Sequence, residues 1–185
     1  MKVLGFAGHS GCGKTTLIEQ LIPRFTALGL RVSLVKHADD GFDVDRPGKD
    51  SYRHREAGAT EVMLVSRRRW ALQHELRGAA EPTLEQQLAR LSRCDLVLVE
   101  GFKSSSIPKI EICRRSLGVE RLPRATRNVI AIACDAALDG EHAPVLDLND
   151  PDAIAAFVLQ VFDLAPRPAF EAALEAAPAR IQAAA

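Results

Sequence analysis

Cysteine is scarce in this chain of 185 residues, and the four present (Cys12, Cys94, Cys113 and Cys134) are scattered with no C-x-x-C pair. That spacing fits neither a disulfide framework nor a zinc site. It points to a reducing, cytoplasmic setting in which thiols serve as small apolar fillers. Long apolar runs are also missing: no stretch of about 18 apolar residues occurs, so no membrane span is expected. The opening Met-Lys-Val-Leu-Gly lacks the basic, apolar and small-residue succession of a signal peptide. Net charge is absent too. The chain carries 24 Lys/Arg and 24 Asp/Glu, which gives no electrostatic reason to expect nucleic acid as a partner. There are no internal repeats. What remains is ordinary for a folded domain: 47% apolar residues in a length sufficient for one core.

Charge balance hides an uneven distribution. Lys103, Lys109, Arg114, Arg115, Arg121, Arg124 and Arg127 crowd the span 101–127 against only Glu111 and Glu120. Such a segment can face a phosphorylated ligand or an acidic partner, or it can be a solvated loop.

The chain is organised around its start. Lys2-Val3-Leu4-Gly5-Phe6-Ala7 reads as a strand, Gly8-His9-Ser10-Gly11-Cys12-Gly13-Lys14-Thr15-Thr16 follows, and Leu17-Ile18 begin a helical pattern. This is G-x-x-x-x-G-K-[ST] in the strand–loop–helix setting the motif requires. Four fixed positions match by chance on the order of 1% of the time in a chain of this length. The glycines let the main chain approach an anion closely. Successive N–H groups form an anion nest beside the positive end of the helix. Lys14 reaches the outer phosphates and the Thr15 hydroxyl binds Mg²⁺. Cys12 has two readings: a thiol activated by Lys14 and a helix N-terminus, or a loop residue that contributes its backbone N–H.

Further along, apolar residues at helical spacing place a helix from about Lys14 to Ala27, stopped at Gly29. Arg31–Lys36 is a β-branched strand, so a right-handed βαβ unit opens the fold. The long charged stretch His37–Asp50 is a loop of the kind that carries function. Ser51–Gly58 is helical with Asp50 or Ser51 as N-cap. Thr60–Val65 and Arg67–His74 are strands, antiparallel across a turn near Ser66. Thr83–Leu91 is a helix opened by a capping box from Thr83 to Gln86. Asp95-Leu-Val-Leu-Val-Glu100 is a strand buried on both faces, hence central in a parallel sheet. Glu100 falls at its carboxyl end, where open α/β sheets bind ligands, and is placed to hold Mg²⁺ or its water. The other reading is a solvent-facing carboxylate. Lys109–Arg114 alternates as a further strand, Val129–Cys134 is another, and Asp152–Phe162 is a final amphipathic helix. The span 166–185 is an Ala/Pro-rich tail.

Together with the phosphate loop, Lys36-His37, Phe42-Asp43-Val44-Asp45-Arg46-Pro47-Gly48-Lys49-Asp50-Ser51-Tyr52-Arg53-His54-Arg55 and Val99-Glu100-Gly101-Phe102-Lys103 resemble the MobB family of molybdopterin-guanine dinucleotide biosynthesis adaptors. The resemblance spans about residues 1–165. It implies a P-loop α/β domain with a mostly parallel sheet, helices on both faces and some antiparallel strands. It also implies a homodimer that binds GTP with Mg²⁺ and hydrolyses it weakly, and that assists a MobA-like guanylyltransferase acting on the molybdopterin cofactor. Carried over by position, Gly8 to Thr16 bind the nucleotide, Thr15 and Glu100 take the metal, and Lys14 and Glu100 are the catalytic pair. The chain departs from the family in having a thinner histidine cluster after His37, and it contains no N-K-x-D sequence, so base preference is unread. A P-loop kinase for a small acceptor stays open. So does a metallochaperone GTPase, although the Cys/His clusters such a protein needs are missing. So does an adaptor in which the nucleotide only orders a binding surface.

Overall fold

A computed structural model describes residues 1–38, 41–118, 121–123, 126 and 128–167. Two compact units are resolved, one from Met1–His37 with the chain beyond Gln87, the other from Ala38–Gln86. The expected tail lies outside the described residues from 168 onward, as do Glu120, Arg124 and Arg127 of the basic span.

The first unit is built on β1 (Lys2–Ala7), α1 (Lys14–Ala27) and β2 (Val32–Lys36). Leu17, Ile18, Leu21 and Phe25 recur at three- and four-residue spacing on α1 and are all buried. Burial of each contributes about 1.5–3 kcal/mol. The helix stops at Gly29, whose φ of 77° closes the last turn. A Cβ there would stand 2.5 Å from the Arg167 carbonyl, so the position admits only glycine.

Beyond the second unit come β5 (Leu96–Glu100), β6 (Lys109–Cys113), β7 (Val129–Cys134), β8 (Val145–Asp147) and α4 (Pro151–Phe162). The six strands stand in the order β2-β5-β1-β6-β7-β8, and every pairing is parallel. The alternation of the pleat sends Leu4, Phe6, Leu96, Leu98, Ile110 and Ile112 to one face, where they form a single core with α1 and α4. Asp150 caps α4 by accepting from the Ala153 N–H at 2.9 Å, and Pro151 occupies the first helical position. Register aligns the carboxyl ends of these strands: Phe6 pairs with Glu100 in β1–β5, and Lys36 pairs with Glu100 in β2–β5.

The alternating strand β6 forms as expected, and all five of its residues are buried, the charged ones included. The Lys109 ammonium donates to the Ser105 carbonyl at 2.6 Å. The Glu111 carboxylate receives Arg121 at 3.2 and 2.8 Å and the Leu122 N–H at 2.9 Å. Internal partners replace water for both charges, as burial demands.

The second unit holds α2 (Asp50–Glu56), the antiparallel pair β3 (Glu61–Val65) and β4 (Trp70–His74), and the start of α3 (Leu84–Ala89). The turn at Ser66 is where the sequence puts it, with the Ser66 hydroxyl closing on the Arg69 carbonyl. The capping box is present: the Thr83 N–H donates to Gln86 at 2.8 Å, and the Gln86 N–H returns to the Thr83 hydroxyl at 3.3 Å. The N-cap of α2 is not the expected Asp50 or Ser51 but Lys49, and it makes no side-chain cap. The helix already begins at Asp50, and the Ser51 hydroxyl inside it donates to Asp45 at 2.6 Å. The α/β P-loop class, the mostly parallel sheet and the antiparallel strands are as the sequence predicts. The antiparallel pair forms its own sheet.

Candidate nucleotide and cation site

The loop Gly8–Thr16 joins the carboxyl end of β1 to the N-terminus of α1, because apolar alternation ends at Ala7 and helical spacing begins after Gly13. Gly13 takes the left-handed N-cap position with φ 99°, which a Cβ-bearing residue avoids. Gly8 is required for a different reason. A Cβ there would meet the Ile112 carbonyl at 2.6 Å and the Cys12 sulfur at 2.7 Å. Cys12 is itself 1% exposed and belongs to the core under the loop. Its side chain therefore packs the loop onto β6, with the Lys14 ammonium 3.9 Å from its sulfur.

A hydroxyl and two charged groups meet at the start of α1. The Thr15 hydroxyl donates to Glu100 Oε1 at 2.7 Å. Glu100 is 6% exposed, so it is a floor carboxylate rather than a solvated one. The Lys36 ammonium stands 3.4 Å from Thr15 Oγ1 and 3.4 Å from the same Glu100 oxygen. Lys14 is turned the other way, donating to the His9 carbonyl at 2.7 Å and the Gly8 carbonyl at 3.1 Å. Thr15 and Glu100 are thus brought together, 85 residues apart in sequence. They are hard oxygen donors with a cation already against them. This suits Mg²⁺, which takes one or two protein oxygens and completes its shell with phosphates and water. Among the described residues there is no group of three or more His, Cys, Asp and Glu that could hold a metal ion.

Sequence reasoning missed two contributors, Lys36 beside Glu100 and Arg114. Arg114 follows β6 and lies across the loop: its Nε donates to the Cys12 carbonyl at 3.3 Å, and its guanidinium would be 3.2 Å from a Cβ on Gly13. A cleft of about 320 Å³ opens beside it, lined by Gly13, Thr16, Leu17, Gln20, Arg114 and Asn149 among others, a volume at the low end for small-molecule sites. Arg114 was visible only as part of a basic span, yet the carboxyl-end rule that picked out Glu100 applies to it equally. Among the described residues of the span, Lys109, Arg114 and Arg121 are engaged inside the first unit, while Lys103 and Arg115 are exposed.

Residues 3–135 match the family described as "Molybdopterin guanine dinucleotide synthesis protein B". The chain belongs to the MobB family. It is 44% identical to a molybdopterin-guanine dinucleotide biosynthesis adapter protein of Escherichia coli over 85% of its own length and 91% of that protein's. A protein of the same description from Haemophilus influenzae is 42% identical over 84% and 86%. Among solved structures, a MobB homolog from Bacillus stearothermophilus superimposes with a TM-score of 0.66 at 26% identity, covering 88% of this chain and 99% of that one. Bacillus subtilis MobB gives 0.67 at 25% identity, over 86% and 97%.

The signature stretch 42–55 of this MobB chain is largely an internal brace of the second unit. Asp43 accepts the Asp45 N–H at 3.0 Å and the Arg55 guanidinium at 3.1 Å, and these bonds hold its carboxyl below the usual range. Arg55 also reaches Glu75 at 3.0 Å and lies over the Tyr52 ring at 5.1 Å. Lys49, Asp50, Arg53 and His54 face solvent. No helix among the described residues is long and apolar enough to cross a membrane.

Proposed function

We propose that this MobB-family chain is a GTP-binding accessory protein of molybdopterin-guanine dinucleotide synthesis, working in the cytoplasm beside a MobA-like guanylyltransferase that acts on the molybdopterin cofactor. The observation that carries the nucleotide reading is the meeting of Thr15 and Glu100 at 2.7 Å under a complete phosphate loop. The names of the E. coli and H. influenzae relatives support the pathway.

In this reading the N–H groups from Gly8 to Thr16, with the positive end of the 14-residue α1, bind the phosphates. Lys14 leaves the Gly8 and His9 carbonyls for the outer phosphates, a short swing for an unbranched side chain. Thr15 and Glu100 hold Mg²⁺, which when bound neutralises phosphate charge and polarises the γ-phosphoryl group. Glu100 is committed to Thr15 and the cation, so it is not free to take a proton from an attacking water. Hydrolysis by the chain alone is therefore slow, and a partner supplies what is missing. A homodimer fits the second unit, where Met63, Val65, Trp70 and Leu72 of the hairpin leave large apolar side chains exposed. Sedimentation as a monomer at micromolar concentration would remove that part of the reading.

The test is a thermal melt with Mg²⁺ and GTP, ATP or no nucleotide. Ligand at one hundred times its dissociation constant adds about 2.7 kcal/mol, or roughly 5–11 °C for a domain of this size. GTP is expected to give the larger shift. No shift with either nucleotide, or unaided turnover of several per second, counts against the proposal.

A further inference from the structure

The cation site contains a lysine that the phosphate-loop motif does not call for. Lys36 ends β2, and register pairs it with Glu100 of β5. Strands of one sheet lie about 4.8 Å apart, and paired residues of parallel strands point to the same face. Lys36 therefore rises beside Glu100 as a consequence of backbone geometry, not of a chance rotamer. Its ammonium is 3.4 Å from both oxygens that the nucleotide reading assigns to the metal, Thr15 Oγ1 and Glu100 Oε1.

Glu100 is buried, and a buried carboxylate needs a countercharge. Lys14 does not provide it, because that ammonium is bound to main-chain carbonyls on the other side of the loop. Lys36 does. Its contacts are longer than the 2.7–2.9 Å or so of a tight charge-assisted bond, and its side chain is 50% exposed. It is held closely enough to balance the site and loosely enough to leave. A divalent ion and an ammonium cannot share one carboxylate oxygen without strong repulsion at such range.

We infer that Lys36 is a resident counter-ion of the cation site, holding Thr15 and Glu100 in place before the metal arrives and yielding its position to the divalent ion that comes with the triphosphate. This rests on the reading that the loop binds a Mg²⁺–nucleoside triphosphate. It adds that the metal is partly replaceable: with Mg²⁺ withheld, the Lys36 charge stays beside the outer phosphates. Removing Lys36 therefore increases the dependence of nucleotide affinity on Mg²⁺. Linkage requires the reciprocal effect, a greater dependence of metal affinity on nucleotide.

The experiment measures GTP dissociation constants by calorimetry in 5 mM-scale Mg²⁺ (~5 mM, well above ordinary site affinities) and in EDTA, for the parent chain, Lys36→Met and Lys36→Arg. The readout is the ratio of the EDTA constant to the Mg²⁺ constant. Lys36→Met is expected to raise that ratio about two- to fivefold, the factor that corresponds to one partly screened ion pair. Lys36→Arg keeps the charge and should stay near the parent ratio. An unchanged or lower ratio in Lys36→Met overturns the inference while leaving nucleotide binding intact. Failure of the parent to bind GTP even with Mg²⁺ overturns the nucleotide reading, and this one with it.

Discussion

The Glu111–Arg121 pair offers the sharpest test of how the phosphate loop is supported. Glu111 is 3% exposed on β6, and its carboxylate accepts from Arg121 Nε at 3.2 Å, Arg121 Nη2 at 2.8 Å and the Leu122 N–H at 2.9 Å. Arg121 also pairs with Glu141, and these two carboxylates raise its pKa further above an already high value. The pair pins residues 121–122 onto β6, the strand that Arg114 follows. Glu111→Gln removes the charge and turns an NH₂ group toward a guanidinium that can only donate. Breaking a fully buried pair costs about 3–5 kcal/mol. Because the Arg121 side chain is 26% exposed, we discount this to about 2–4 kcal/mol, which corresponds to roughly 4–16 °C in melting temperature. Circular dichroism melts of the single variant, of Arg121→Met and of the double Glu111→Leu/Arg121→Met measure the coupling directly. The double variant should recover most of the loss, since well-packed apolar replacements of buried pairs are often neutral. A loss below about 0.5 kcal/mol in Glu111→Gln, the usual size for an uninvolved surface site, or strict additivity in the cycle, would refute the argument.

Two further outcomes follow from the same geometry. Gly8→Ala places a Cβ against a main-chain carbonyl and a core thiol, neither of which can retreat cheaply. GTP affinity should fall by at least about tenfold, a cost of ~1.4 kcal/mol; an affinity within about twofold of the parent would show that contact at Gly8 is not what matters. Burial beside Cys134 pushes the Cys113 thiol from about 9.0 up to about 12. A pKa raised on folding gives stability that is complete below the unfolded value and is lost as pH rises through the folded one. The parent chain should therefore lose stability between pH 9 and pH 12 more steeply than Cys113→Val, and parallel curves in melts across that range would count against it.

How much of this was legible in the sequence depends on whether the relevant neighbours are near in the chain. The strand–loop–helix path of the phosphate-loop motif was legible, because nine consecutive residues determine it. Glu100 was legible because the four apolar residues before it announce a strand buried on both faces. Lys36 and Arg114 were not. Lys36 acquires its role only when β5 is inserted between β1 and β2 with Lys36 in register with Glu100. Arg114 acquires its role only when β6 pairs with the other edge of β1. The burial of Lys109 and Glu111 on β6 has the same origin, since their partners Ser105 and Arg121 lie outside the strand. The parallel order β2-β5-β1-β6 is thus itself a functional statement. It brings a lysine and a carboxylate to one side of the loop and an arginine to the other. The motif then supplies what any P-loop has, and the flanking strands supply what distinguishes this one.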